Sequence, residues 1–74
     1  MRTITVDGAK IAAAREQAGL TQPLLAERVG VDRTTVAHWE IGRRSPNVLV
    51  FNKLCSALAC KPADLMAVPD DDAA

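Results

Sequence analysis

The side chains best suited to recognition chemistry lie in the segment from residue 33 to residue 47. Arg33 carries a planar guanidinium whose N–H groups match two acceptors at once, such as guanine O6 and N7. Thr34 offers a hydroxyl and a methyl group, which suit a base edge or a thymine methyl. His38, the single histidine of the chain, follows one helical turn later on the same face. These three residues are candidates for contacts to base edges.

A second group of side chains suits phosphate oxygens better than bases. Thr35 offers a hydroxyl, and Arg43 and Arg44 form a basic pair in the following loop. Gln22 and Asn47 each stand where a helix is expected to begin, and free backbone N–H groups at a helix N-terminus favour anions. We therefore expect these five residues to contact the DNA backbone.

The sequence leaves an alternative open for several of these residues. Arg33 is a base reader, a phosphate clamp or a solvated surface charge. His38 either contacts a base or merely fills the surface, and Arg43 with Arg44 could be no more than a basic loop. Because His38 is the only histidine, a multi-histidine metal site is excluded.

Two short helices joined by a tight turn are predicted to position these residues. Thr21 can cap the first helix, and Pro23 fits its opening turn, where a missing N–H costs little. Gly30 takes the left-handed conformation at which that helix stops. Asp32 can cap a second helix from Arg33 to about Glu40, with its carboxylate accepting from the first-turn amides.

Three further helices are predicted around this pair. Asp7 caps a helix over residues 8–18, Asn47 caps one that runs to about residue 59, and Pro62 opens a short one through residue 67. The predicted inward-facing residues follow helical spacing: Ile11, Ala14, Arg15, Ala18, Ala26, Val29, Val31, Val36, Phe51, Leu54, Cys55, Leu58, Leu65 and Met66.

Two residue types invite a functional interpretation but fit the core better. Trp39 could stack on a base, yet its position next to Val36 and Leu25 favours a core anchor. Cys55 and Cys60 have neither CxxC spacing nor a second His/Cys cluster beside them. They are therefore interpreted as small hydrophobic residues in a reducing cytosol rather than as metal ligands.

Length, composition and charge place the chain among small cytoplasmic domains. It has 74 residues, of which 49% are hydrophobic and 24% charged, as in an ordinary globular domain. No apolar run approaches the roughly 18 residues of a membrane span, and the first residues lack a signal-peptide core. Nine basic residues balance nine acidic ones, but three of the acids fall in the terminal PDDDAA, and without them the net charge is +3.

These patterns divide the chain into three parts. Residues 1–6 form an N-terminal arm, in which the alternating TITV either packs on the bundle or pairs with a partner chain. Residues 7–68 form the helical domain, and residues 69–74 form an acidic disordered tail. In the run from residue 48 to residue 51 one helix face cannot bury every apolar side chain, so Leu49 or Val50 is a candidate partner surface.

The chain resembles the lambda-repressor-like, Cro/C1-type (XRE) helix-turn-helix family over residues 7–67. The motifs that carry the resemblance are Leu20-Thr21-Gln22, Leu25-Ala26, Val29-Gly30-Val31, Thr35-Val36, Trp39-Glu40, Gly42 and Pro46. The resemblance implies an all-α, compact five-helix bundle that binds double-stranded operator DNA, usually as a homodimer.

The resemblance also carries roles for particular residues. In the family, the first, second and sixth residues of the second helix of the pair commonly read bases, and here these are Arg33, Thr34 and His38. The family also has a structural ion pair that matches Arg15 and Glu40. Two departures are that Leu24 stands where Glu is frequent, and that Ala59 replaces the usual helix-ending glycine.

We therefore expect a sequence-specific DNA-binding transcriptional regulator, a repressor, that acts without a cofactor. The alternative is an antitoxin-like protein-interaction module that keeps the DNA-binding fold. An enzyme is disfavoured because no paired-acid, nucleophile–base or phosphate-loop pattern occurs. Neither a membrane nor a small-molecule ligand is expected as a partner.

Overall fold

The computed structural model describes residues 5–67, which fold into five α-helices. The helices are α1 (Gly8–Gln17), α2 (Gln22–Val29), α3 (Arg33–Glu40), α4 (Val48–Leu58) and α5 (Pro62–Leu65). α3 packs against α1 and α2, while α4 packs against α2 and α5. The predicted all-α five-helix bundle is thereby confirmed. In the described part, no helix is long and apolar enough to cross a membrane.

The N-terminal arm ends in a short pairing with the chain that follows α5. Val6 and Met66 form an isolated antiparallel bridge, flanked by the hydrogen bonds Asp7 N to Leu65 O (2.9 Å) and Ala67 N to Thr5 O (3.2 Å). Since this pairing holds Met66 in an extended conformation, α5 ends at Leu65 and the prediction of a helix through residue 67 is wrong. Residues 1–4 of the arm and the predicted tail lie outside the described residues.

Side chains cap the starts of three helices. Asp7 accepts from Ala9 N at 3.0 Å, Thr21 from Leu24 N at 3.3 Å, and Asn47 from Val50 N at 2.9 Å. Each bond satisfies one of the four backbone N–H groups that a helix start leaves without a partner. Asp32 holds the N-cap position of α3, but its side chain makes no such bond, so the predicted carboxylate cap is wrong.

The first four helices end in the same backbone arrangement, with a left-handed residue just beyond the last turn. That residue is Gly19, Gly30 or Gly42 after α1 to α3, with φ of 75°, 88° and 82°. After α4 it is Ala59, with φ of 53°. Cys60 N then donates to Cys55 O at 3.1 Å, which is the bond that closes a Schellman motif. α4 therefore ends with the same backbone arrangement as the three helices that end at a glycine. The side chain of Ala59 disfavours the left-handed conformation that this arrangement requires.

We expect Ala59→Gly to raise the free energy of unfolding by roughly 1 kcal/mol, because glycine removes the Cβ penalty of the left-handed conformation. The matched control is Ala57→Gly, the same exchange two residues earlier, where the backbone is still in the right-handed helix α4. There glycine costs about 1 kcal/mol, so the two substitutions should shift the urea midpoint in opposite directions. Destabilisation by both would contradict the conformation assigned to Ala59.

The core is built from side chains of all five helices and of the connection before α2. Its buried members are Ile11, Leu20, Leu25, Ala26, Val29, Val36, Trp39, Phe51, Leu54, Cys55, Leu58 and Leu65. Trp39 is only 2% exposed, which confirms it as a core anchor. Three predicted core residues, Ala14, Val31 and Met66, are half-buried at the edge of this cluster.

Two expectations about individual apolar side chains need correction. Ala18 is exposed rather than inward-facing, because α1 ends at Gln17 and Ala18 lies beyond its last turn. Val50 packs against the core, so it is a poor candidate for partner surface. Leu49 is 63% exposed and its neighbour Val48 is 40% exposed. The exposed apolar side chains of α4 therefore lie in its first turn.

The start of α1 approaches the end of α3 so closely that only glycine fits. A Cβ added to Gly8 would lie 2.5 Å from the Trp39 carbonyl oxygen and against that of Glu40. Both are backbone atoms, so a side chain at position 8 would push the two helices apart. This contact fixes the end of α3 relative to α1.

The two cysteines are part of the packing at the end of α4. Cys55 is buried, and Cys60 is half-buried against the core; both are free thiols. Burial raises the pKa of both thiols, with a smaller contribution from Asp64. Because the thiolate is the form that attacks electrophiles and binds metals, both side chains act at neutral pH as small apolar residues.

Candidate nucleic-acid interface

α2 and α3 are joined by a three-residue turn with Gly30 at its start. Gly30 N and Val31 N both donate to Ala26 O, at 2.8 and 3.0 Å, and reverse the chain immediately after α2. Val36 and Trp39 bury the inner face of α3 in the core. The remaining side chains of α3 therefore point outward, as a helix presented to a groove requires.

The predicted base-contacting residues lie on the outer part of α3. Arg33 and Thr34 are exposed, and His38 is half-buried one turn later. Within residues 5–67, no hydrogen bond or ion pair engages the side chain of Arg33 or Thr34. Their donor groups are thus free for a ligand. The His38 carbonyl accepts from the N–H groups of Arg43 and Arg44, at 2.8 and 3.3 Å, which holds the basic loop against α3.

Three of the five predicted phosphate contacts line one groove between α3 and the start of α4. Thr35, Arg44 and Asn47 border this groove, which has a volume of about 250 Å³. The side-chain oxygen Oδ1 of Asn47 already accepts from Val50 N, so the side-chain N–H groups are the part left for a phosphate. Arg43 is exposed beside Arg44. The groove therefore combines a cation, a hydroxyl and a helix N-terminus.

Gln22, the fifth predicted phosphate contact, lies apart from that groove. Its amide nitrogen donates to Glu40 Oε1 at 3.0 Å, at the C-terminal end of α3. One hydrogen of an amide group suffices for this bond, which leaves the second available. The bond also links the first residue of α2 to the last residue of α3.

Arg15 and Glu40 form an ion pair beneath the helix pair. Arg15 Nε donates to Glu40 Oε2 at 2.7 Å, and a second guanidinium nitrogen donates to the Leu20 carbonyl at 2.8 Å. The two side chains are 14% and 8% exposed. The hydrogen bond to Glu40 raises the pKa of Arg15 despite the opposing effect of burial, so the guanidinium stays charged.

The family resemblance implied the pair of Arg15 and Glu40, but it did not indicate what joins the pair to the rest of the fold. Gln22 and the Leu20 carbonyl complete a network that ties together α1, α2, α3 and the connection before α2. No local spacing signals this network, because its members lie 5, 18 and 25 residues apart. A glutamine at the first position of a helix has several partners open to it, and only the folded chain selects one.

Unpaired arginines dominate the electrostatics of this part of the surface. Arg28, Arg33, Arg43 and Arg44 are all exposed. Among the arginines in the described part of the chain, only Arg15 has a carboxylate within 4.0 Å of its guanidinium. Their charges are therefore not neutralised internally and remain available to a polyanion.

Comparisons with known proteins agree with this geometry. The helix-turn-helix family profile matches residues 11–65. An HTH-type transcriptional regulator of Methanothermobacter thermautotrophicus is 40% identical over 60 residues, which cover 81% of this chain and 87% of the relative. The restriction-modification controller protein C.AhdI of Aeromonas hydrophila is 33% identical with a TM-score of 0.72, over 77% of this chain and 86% of that one. The P22 c2 repressor in complex with a synthetic operator is likewise 33% identical with a TM-score of 0.72, over 74% and 83%.

Proposed function

Because the chain belongs to the Cro/C1-type (XRE) helix-turn-helix family of DNA-binding transcription regulators, we propose that it is a sequence-specific repressor in the cytoplasm. A homodimer binds a roughly palindromic operator and acts by occluding the DNA beneath it. Each subunit inserts α3 into the major groove, and the two helices lie about 34 Å apart, one turn of DNA. No cofactor takes part, and the family is one of regulators rather than enzymes.

The observation that carries this proposal is the outer face of α3. Its inner face is held by the buried side chains of Val36 and Trp39, so the helix is a rigid support. Arg33 and Thr34 stand at its N-terminal end with unengaged donor groups. A helix that enters the major groove presents its N-terminal residues to base edges. The operator-bound structure of the related c2 repressor supports the same use of the fold here.

The basic loop and the adjacent groove supply the second half of the proposal. Arg43 and Arg44 bind phosphates beside the base-reading helix, and Thr35 and Asn47 add neutral donors in the groove. Phosphate contacts fix the register of the protein on the duplex but carry no base information. These residues therefore account for affinity, and the end of α3 accounts for sequence preference.

The proposal is tested by selecting genomic fragments with the purified protein and titrating the selected site at several salt concentrations. Each phosphate contact contributes about −0.9 to the slope of log affinity against log salt. Because a homodimer carries each substitution twice, Arg43→Ala combined with Arg44→Ala should remove four phosphate contacts and flatten the slope by about 3.6. Lys53→Ala, at an exposed cation of α4, should leave the slope unchanged. A slope near zero for the unaltered protein, or no selected site, would refute DNA-binding function.

The proposed dimer uses the exposed first turn of α4 rather than the arm. Thr5 and Val6 pair with the chain after α5 of their own subunit, which leaves them no free edge on that side. Leu49 is 63% exposed and Val48 is 40% exposed at the start of α4. Two adjacent apolar side chains in water favour burial against a second copy.

Leu49→Ser should weaken self-association at least tenfold, because it removes the largest apolar contact of the proposed interface. The matched control is Leu24→Ser on α2, where the leucine is 44% exposed. Sedimentation velocity over a range of protein concentrations measures the self-association of both variants and of the unaltered protein. If Leu49→Ser sediments as the unaltered protein does, the copies associate through another surface.

A further inference from the structure

Asp32 occupies the N-cap position of α3, but its side chain does not accept the first-turn hydrogen bond that three other cap side chains accept. Asp7, Thr21 and Asn47 each accept a hydrogen bond from the first turn of their helices. Asp32 has the same extended backbone, with φ of −75° and ψ of 152°, yet its carboxylate accepts from no first-turn N–H. Its backbone carbonyl accepts from Thr35 N at 3.0 Å, as the backbone carbonyls of the other three cap residues accept from the first turns of their helices. The start of α3 is therefore formed without this carboxylate.

The carboxylate of Asp32 is also unengaged elsewhere in the described part of the chain. It is exposed, and no hydrogen bond or ion pair within residues 5–67 involves it, although Arg33 is its neighbour. A carboxylate offers only acceptors. Close to DNA such a group either repels phosphates or accepts from an amine on a base.

We propose that Asp32 is a specificity-determining residue whose carboxylate accepts from the exocyclic amine of a cytosine beside the guanine contacted by Arg33. The inference rests on the proposed function, because it requires α3 in the major groove. The cap residue and the first helical residue lie together at the end of the helix that enters the groove. Asp32 and Arg33 then present an acceptor and a double donor to neighbouring bases.

The hydrogen-bonding pattern of the major groove selects the base. Cytosine presents its N4 amine there and no acceptor, whereas guanine presents O6 and N7, and thymine presents O4. Acceptors on the base repel a carboxylate. Adenine has an amine, but its N7 acceptor lies next to it. Cytosine is therefore preferred, adenine is second, and guanine and thymine are rejected.

The test compares binding-site profiles of the full chain and of Asp32→Asn on a randomised library. Asparagine keeps the size of the side chain but adds a donor. It can therefore bind a base that presents a hydrogen-bond acceptor as well as one that presents a donor. The unaltered protein should prefer cytosine over thymine about tenfold at one position per half-site, and the variant should reduce this ratio to about twofold. Asp7→Asn, the same exchange at the start of α1, is the control and should leave the profile intact.

Other outcomes would overturn the inference. Uniformly tighter binding of Asp32→Asn to all sequences, with base preferences intact, would mean that the carboxylate only repels phosphates. A lower melting temperature for Asp32→Ala, again with preferences intact, would make Asp32 a structural cap. Should the unaltered protein select no site at all, the proposed function itself fails and this inference with it. Selection of a site with no cytosine preference removes the role of Asp32 alone.

Discussion

Replacement of Arg15 by alanine is expected to lower the free energy of unfolding by about 3 kcal/mol. The guanidinium bonds both to Glu40, at 2.7 Å, and to the Leu20 carbonyl, at 2.8 Å. Glu40 is 8% exposed, so the substitution leaves a nearly buried carboxylate with Gln22 as its only remaining partner in the described part of the chain. A charge in that position without its partner is costly, whatever the net value of the intact pair.

Urea unfolding of four proteins separates the pair from its surroundings. Arg15→Ala, Glu40→Ala, the double variant and the unaltered chain form a cycle in which the double variant should lose less than the sum of the single losses. Gln22→Ala should cost only about 1 kcal/mol, since it removes one hydrogen bond. Arg28→Ala, at an exposed arginine of α2, serves as the control and should cost less than 0.5 kcal/mol, roughly the limit for surface changes. An unchanged midpoint for Arg15→Ala would mean that water compensates Glu40.

The helix-turn-helix architecture could be predicted because its determinants are local. Thr21 and Asn47 cap their helices through bonds to residues only three positions away. Gly30 ends α2 because its φ of 88° is strained for other residues. Apolar spacing in turn identified Val36 and Trp39 as the inner face of α3. Local capping and helical periodicity thus carry most of the information about this fold.

The features that the sequence did not reveal depend on distant contacts or on a choice between equivalent partners. Met66 continues the helical pattern of α5, but pairing with Val6 makes it extended. Gln22 was predicted as a phosphate donor, and the sequence did not reveal that one of its amide hydrogens is donated to Glu40. Asp32 has the residue type and position of a helix cap, yet its first-turn bond is absent. Residue type alone does not determine which of several possible hydrogen bonds forms.

Arg33→Ala is expected to weaken operator binding by about 1–3 kcal/mol per half-site and to relax base preference at one position in each half-site. Arg33 is the first side chain of α3, exposed and without a partner in the described part of the chain. Its planar fork spans O6 and N7 of a guanine, a pair of acceptors that no other base presents in the major groove. Loss of the fork therefore removes affinity and discrimination together.

Arg44→Ala provides the contrast, because Arg44 borders the groove beside α3 rather than the end of that helix. A phosphate contact is indifferent to sequence, so this variant should bind every site more weakly by a similar factor and keep the base preferences of the unaltered protein. Profiles of both variants on one randomised library, at one salt concentration, make the comparison direct, since affinities at different salt concentrations are not comparable. If Arg33→Ala instead loses affinity uniformly with its preferences intact, Arg33 is a phosphate clamp. Base reading by α3 would then fall to Thr34 and His38, whose smaller side chains reach fewer acceptors and predict a less selective protein.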